Sequence, residues 1–267
     1  MIKLNSPKLP IETDHPLSPH RMDFVRFMHP ILKKQLKKGA KLLDVGSGKN
    51  FLLYLIQEQK NISYTGIDIH PNKPKIKLSF KPEITEADIN TILISRKFDL
   101  ACCLWVLEHI KNDQESLNKI NKLLRQKGLL ILSVPSIFTW PYEFGRHGYH
   151  YYSEKKILTM VNQSGFRLVK LHKSGGLFGF VFMILYSWPR YVPLLIMYPF
   201  YMFLWRTKFV NSNWADFSTK FVSGTFYRYH RFAKGIAIHN NIVEFIVKFD
   251  KFVKIIPSAY VLILEKK

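Results

Sequence analysis

The sequence predicts an α/β fold, an open and mostly parallel sheet with crossover helices, and three observations carry the prediction. Short apolar runs alternate with stretches of helical periodicity from Lys41 onward. The first run ends in a glycine turn, Gly46-Ser47-Gly48, and the second in Gly66-Ile67-Asp68, placing Asp68 twenty positions after Gly48. The 267 residues are 47% hydrophobic and 22% charged, which suits one large core with a modest appendage.

In chain order, residues 1–38 read as a loose tail followed by leading helices. Pro7, Pro10, Pro16 and Pro19 stand among polar residues, and no apolar secretory stretch is present, so a cytoplasmic chain is expected. From His20 to Lys38, Met22, Phe24, Val25, Met28, Leu32 and Leu36 recur near helical spacing, with Pro30 starting or kinking a turn. Strands are expected at Lys41–Val45, Ser63–Ile69, Glu83–Ala87, Phe98–Leu104, Leu129–Val134 and Phe166–Leu171. Helices are expected at Asn50–Gln59, Asp113–Arg125 and Ser153–Gln163, the last two capped by Asn112 or Asp113 and by Ser153 and stopped by Gly128 and Gly165. Residues 39–173 are thus expected to form the core domain.

Beyond Leu171 the texture changes. Ser174–Pro189 and Tyr191–Trp205 carry no formal charge and are rich in Phe, Leu, Tyr and Trp. Each half is shorter than the ~20 residues of a membrane span, and Pro189, Pro193 and Pro199 interrupt them, so a shallow hairpin or interfacial helices are expected. Trp188, Tyr191, Tyr198, Tyr201 and Trp205 suit a headgroup zone, and Arg206, Lys208, Lys220, Arg228, Arg231 and Lys234 would face anionic lipid. A helical pattern covers Ile242–Ile256, completing an insertion over residues 174–257, and Ala259–Leu264 within residues 258–267 reads as a closing strand.

Forty Lys and Arg against nineteen Asp and Glu leave a net charge of +21, which favours an anionic partner, either acidic lipid or nucleic acid. Cys102 and Cys103 are neighbours in an apolar run, so neither a disulfide framework nor a zinc site is expected. No metal is predicted.

A strand that ends in glycines and flows into a helix cradles a nucleotide, and an acid at the end of the next strand can accept bonds from ribose hydroxyls. A dinucleotide fingerprint would need glycine at 51, where Phe51 stands, and Asp44 would sit badly beside a pyrophosphate. It would sit well beside an ammonium and a sulfonium. The cofactor these departures favour is S-adenosylmethionine.

On these residues, and on Glu86-Ala87-Asp88-Ile89, Phe98 through Ile110 and Leu123 through Ile131, the chain resembles the class I methyltransferases. The likeness is to the small-molecule branch, which includes quinone-pathway and bacterial cell-surface glycan enzymes. The resemblance implies a Rossmann-like seven-stranded sheet of order 3-2-1-4-5-7-6 with the last strand antiparallel and the insertion between strands six and seven. It also implies that Asp44, Gly46 and Gly48, with Ser47 between them, line the methionine half, and that Asp68 and Ile69 meet the ribose and adenine. Asp88 and Ile89 would lie at the adenine edge, and Leu104 below the methyl. The family's common third glycine is Asn50 here.

The acceptor pocket is expected beside Trp105, Glu108 and His109 on one side and the His147–Tyr152 loop on the other. His109, His150 and His147 are the candidate bases for a hydroxyl acceptor. Three functions follow: methylation of oxygen or carbon on a lipophilic or lipid-linked small molecule at the inner face of a membrane, methylation of RNA, or a scaffold that retains the fold. Leu104-Trp105-Val106 lacks the Asn or Asp and two prolines that hold an amino group, which counts against one common version of the RNA reading.

Overall fold

The computed structural model bears out the fold class and describes residues 8–143, 148–208, 214, 217 and 232–267. Its strands are β1 (Lys41–Val45), β2 (Ser63–Asp68), β3 (Glu83–Glu86), β4 (Phe98–Leu104), β5 (Leu124–Pro135), β6 (Phe166–Ser174) and β7 (Ala259–Lys266). They form one sheet of order β3-β2-β1-β4-β5-β7-β6. The first five run parallel to their neighbours, while β7 is antiparallel to both β5 and β6.

Around the sheet lie the helices α1 (Pro10–Asp14), α2 (Pro19–Gln35), α3 (Phe51–Ile56), α4 (Asp113–Leu123), α5 (Trp140–Glu143), α6 (Glu154–Gln163), α7 (Leu177–Arg206) and α8 (Ala233–Asp250), with short 3-10 turns at Leu107–His109 and Ile137–Thr139. The central strands are apolar on both faces because both are covered. Alternate side chains of β1 and β4 divide between two cores: Leu42, Leu100 and Cys102 pack with α1, α2, α3 and α8, while Leu43, Ala101 and Cys103 pack with α4 and α6. Both cysteines are fully buried strand residues, and burial pushes their thiols up.

Several local expectations are corrected. The part of the tail from Pro10 onward is not loose. Ile11 and Leu17 are buried, and Asn240 of α8 clasps the segment by donating to the Glu12 and His15 carbonyls (2.6 and 2.8 Å) and accepting from the Leu17 amide (2.8 Å). Arg26 reinforces the clasp by bridging Glu12 and Glu244 at 3.2 and 3.4 Å. Pro30 does not break α2; it sits on the exposed side of the helix. Gly128 does not stop α4, which ends at Leu123. It lies inside β5, where the register with β4 slips and a Cβ would come within 2.8 Å of the Arg125 carbonyl. Gly165 does follow α6 with φ 76°, and Ser153 does cap it, its hydroxyl accepting from the Lys156 amide at 3.2 Å. Asn112 makes no side-chain cap on α4.

The insertion also differs. Residues Leu177–Arg206 form one 30-residue helix rather than two broken pieces. Each proline deletes a single backbone bond, and the remaining ladder holds the helix. No helix among the described residues is long and apolar enough to cross a membrane. Tyr198 and Trp205 are exposed, but Tyr201 is buried, its ring 4.9 Å from Trp214 and 5.1 Å from Phe217. Lys220, Arg228 and Arg231, and the side chains of Trp188 and Tyr191, lie outside the described residues.

Candidate active site

Ligands of open parallel sheets bind beyond the carboxyl ends of the strands, where neighbouring connections leave in opposite directions. The connections after β1 and β4 do so here, and a cavity of about 670 Å³ opens at that point.

The glycine turn forms its floor. Gly46 takes φ 76°, and a Cβ there would fall 2.1 Å from the Val106 side chain, so glycine is required both by the backbone and by the loop after β4. The Ile67 carbonyl accepts from the Gly46 and Ser47 amides at 2.7 and 3.1 Å, tying the turn to β2. Asn50, at the variant third-glycine position, adopts the left-handed conformation with φ 63°, which asparagine tolerates better than most residues. Asp68 is held from both sides: Gly48 donates to one carboxylate oxygen at 2.8 Å and the His70 amide to the other at 2.7 Å. A carboxylate has about four acceptor sites, so two backbone donors orient it and leave capacity for ribose hydroxyls.

Of the predicted cofactor residues, Gly46, Ser47, Gly48, Asp68, Ile69, Asp88, Ile89 and Leu104 all line this cavity. Asp44 does not. It is buried behind the turn, where its carboxylate accepts from the Tyr64 hydroxyl at 2.5 Å and burial pushes its pKa up to about 7. Ser47 supplies an independent sign of a ligand: its hydroxyl oxygen is buried and has no hydrogen-bond partner among the described residues. Such an atom is costly unless something polar completes it. The turn, the oriented carboxylate and this hydroxyl fit a nucleoside-bearing cofactor.

The predicted bases separate. His109 lines the cavity, exposed, at the end of the short 3-10 turn Leu107–His109. His150 is not part of the wall; its Nε2 lies 3.1 Å from the Lys111 carbonyl and 3.7 Å from Asp113, so it braces the loop. His147 lies outside the described residues. Glu108 is buried beneath the wall, and its carbonyl accepts from the Tyr149 amide at 2.7 Å, which brings Tyr149 to the cavity.

Sequence reasoning missed the opposite wall. Ile11 and His15 of the N-terminal segment, Arg21 of α2, and Phe51 and Tyr54 of α3 line the cavity too. Trp105, held at φ 55°, fits among them with its ring 5.7 Å from Phe51 and the Arg21 guanidinium 5.3 Å above it. A left-handed aromatic residue is uncommon and costs energy, which the surrounding contacts offset. Phe51 and Tyr54, immediately after the glycine turn, were the available signal; Ile11 and His15 reach the site through contacts distant in sequence, with α2, α3 and α8.

The comparisons agree with this geometry. A family model described as a methyltransferase domain matches residues 20–171, more than half of the chain. Among curated relatives, the (S)-coclaurine N-methyltransferase of Thalictrum flavum subsp. glaucum is 30% identical over 42% of this chain and 33% of its own length. The ubiquinone biosynthesis O-methyltransferase of Glaesserella parasuis is 30% identical over 36% of this chain and 45% of its own. The chain therefore spans less than half the length of these relatives. Among solved structures, the cyclase SpnF aligns with a TM-score of 0.52 at 16% identity, over 91% of this chain and 80% of its own. A Galdieria sulphuraria protein described as a sarcosine dimethylglycine methyltransferase aligns with a TM-score of 0.52 at 12% identity, over 92% and 85%. Likeness at that identity speaks to the fold alone, and the neighbouring cyclase shows that the fold serves more than one chemistry. The family match and the cavity's residues together establish that this chain belongs to the methyltransferase-domain family of S-adenosylmethionine-dependent proteins.

Proposed function

We propose that the protein transfers a methyl group from S-adenosylmethionine to an oxygen or carbon of a lipophilic or lipid-linked small molecule, of quinone or glycolipid type, while attached peripherally to a membrane surface. The cofactor supplies an electrophilic methyl on a sulfonium. Asp68 would accept from the ribose, Asp88 and Ile89 would border the adenine, Ser47 would give and receive a bond at the turn, and Leu104 would close the floor. Displacement at such a methyl depends mainly on holding the nucleophile in line at near-contact distance, which a cavity walled on both sides does. His109 and Trp105 face the acceptor.

One observation carries the membrane part of the reading. Helix α8 turns large apolar side chains outward while burying polar ones. Ile238, Ile242, Phe245 and Phe249 are exposed, whereas His239, Asn240, Glu244 and Asp250 are buried. A surface helix in water shows the reverse. Phe178 of α7 meets Phe249 with ring centroids 5.7 Å apart, Val181 and Leu185 of α7 are exposed as well, and the exposed Lys234 and Lys251 stand at the two ends of α8. Apolar residues with a cationic rim suit an anionic bilayer.

The test is transfer of tritium from methyl-labelled S-adenosylmethionine into a total membrane lipid extract and, separately, into total RNA. Label in the lipid fraction alone supports the reading. Label in RNA alone, or in neither, overturns it.

A further inference from the structure

We propose, resting on the methyl-transfer reading above, that His15 is the catalytic base toward a hydroxyl acceptor in this cavity, and that α8 positions it there. The two cavity histidines come from opposite faces of the sheet. His109 arrives with Leu107 and the α4 side, whereas His15 arrives with α1, α2 and α3. His15 directly follows a five-residue helix, and its backbone is anchored at both polar groups. Its amide donates to the Ile11 carbonyl at 3.1 Å, and its carbonyl accepts from Asn240 at 2.8 Å. The imidazole stands edge-on to Tyr54, with ring centroids 4.9 Å apart, and neither ring nitrogen is engaged by another described residue. A fixed ring with unengaged nitrogens in an aromatic-lined cavity is what proton abstraction from a bound hydroxyl requires.

Its surroundings, on balance, favour the neutral ring. Burial lowers its pKa from the ordinary histidine value, Asp14 beside it raises it, and Arg21 on α2 lowers it. The Asn240 amide on α8 is uncharged, and His239 on α8 is itself held down by burial. In the step, the His15 imidazole takes the acceptor's O–H proton as that oxygen forms its bond to the methyl carbon. The carbon–sulfur bond breaks with its electron pair left on sulfur, and the imidazolium then releases the proton to water.

The experiment compares the full-length wild type, His15→Gln and His109→Gln for labelling of membrane lipid extract across pH 5–9. It also follows carbethoxylation of residue 15 by mass spectrometry, a readout independent of turnover. Expected are a rate loss of ~10²-fold in His15→Gln, loss of the acid limb of the pH profile, unchanged affinity for S-adenosylhomocysteine, and a wild-type modification midpoint below the ordinary histidine value. A His15→Gln variant with wild-type rate and profile overturns the assignment while leaving the proposed function standing. Equal loss of turnover and cofactor affinity also overturns it, by making His15 structural. A wild type that labels no lipid removes the proposed function, and the base with it.

Discussion

The outward apolar face of α8 makes a quantitative prediction. Ile242 and Phe245 are 50% and 52% exposed, so each still has about half of its surface to bury. Full burial of such a side chain is worth roughly 1.5–3 kcal/mol, which leaves about 0.8–1.5 kcal/mol for each and ~1.5–3 kcal/mol for the pair. The double substitution Ile242→Ser, Phe245→Ser should therefore weaken partitioning onto anionic liposomes by roughly 10- to 150-fold. The half of each side chain that is already buried is lost as well, so urea unfolding should show a loss of stability of up to ~1.5–3 kcal/mol, and partitioning is compared at a temperature where both proteins are folded. Flotation at several lipid concentrations reads the partitioning, with sedimentation of the free protein as a control, and urea melts read the stability. Equal flotation of variant and wild type would refute the assignment of this face to a bilayer. If the substitutions instead convert a dimer into a monomer, the face joins two copies of the chain.

Three further outcomes follow from the interior. Gly46→Ala drives a Cβ into Val106, 2.1 Å away, at a positive φ, and should cost ~2–4 kcal/mol; adding Val106→Ala should recover part of that loss in urea unfolding, and strict additivity would contradict the contact. Asp44, raised to about 7 in the fold from an ordinary 3.8, binds a proton that the unfolded chain has already lost, so stability should fall as pH rises from about 4 through 7. Asp44→Asn keeps an acceptor for Tyr64 and should flatten that dependence in thermal melts, whereas an unchanged slope would place the titration elsewhere. Asn240→Ala strands the buried Leu17 amide and two carbonyls of the N-terminal segment, and should cost ~2–3 kcal/mol and expose residues 9–17 to limited proteolysis.

The strands that make the cofactor floor were legible because their signals are local. Lys41–Val45 and Phe98–Leu104 match the expected strands residue for residue, since each is a short apolar run bounded by polar residues and both of its faces are buried. The glycine turn and Asp68 were legible for the same reason. The acceptor wall was not. Four prolines among polar residues hid α1, whose order comes from Asn240, more than 220 positions away. His109 and His150 came from two motifs that were both expected at the acceptor, and only the fold separates His109, on the cavity, from His150, turned to Lys111 and Asp113. The continuity of α7 through its prolines was hidden because periodicity and proline placement compete, and here the helical backbone won.

The central claim, that this cavity holds S-adenosylmethionine, is tested most directly by calorimetric titration of the full-length protein with S-adenosylmethionine, S-adenosylhomocysteine and NAD. The account predicts one site for the first two and none for NAD. Asp68→Ala should weaken both by roughly 10- to 150-fold, the loss of charge-assisted bonds worth ~1.5–3 kcal/mol. Binding of NAD without S-adenosylmethionine, or affinity for S-adenosylmethionine indifferent to Asp68→Ala, would contradict it.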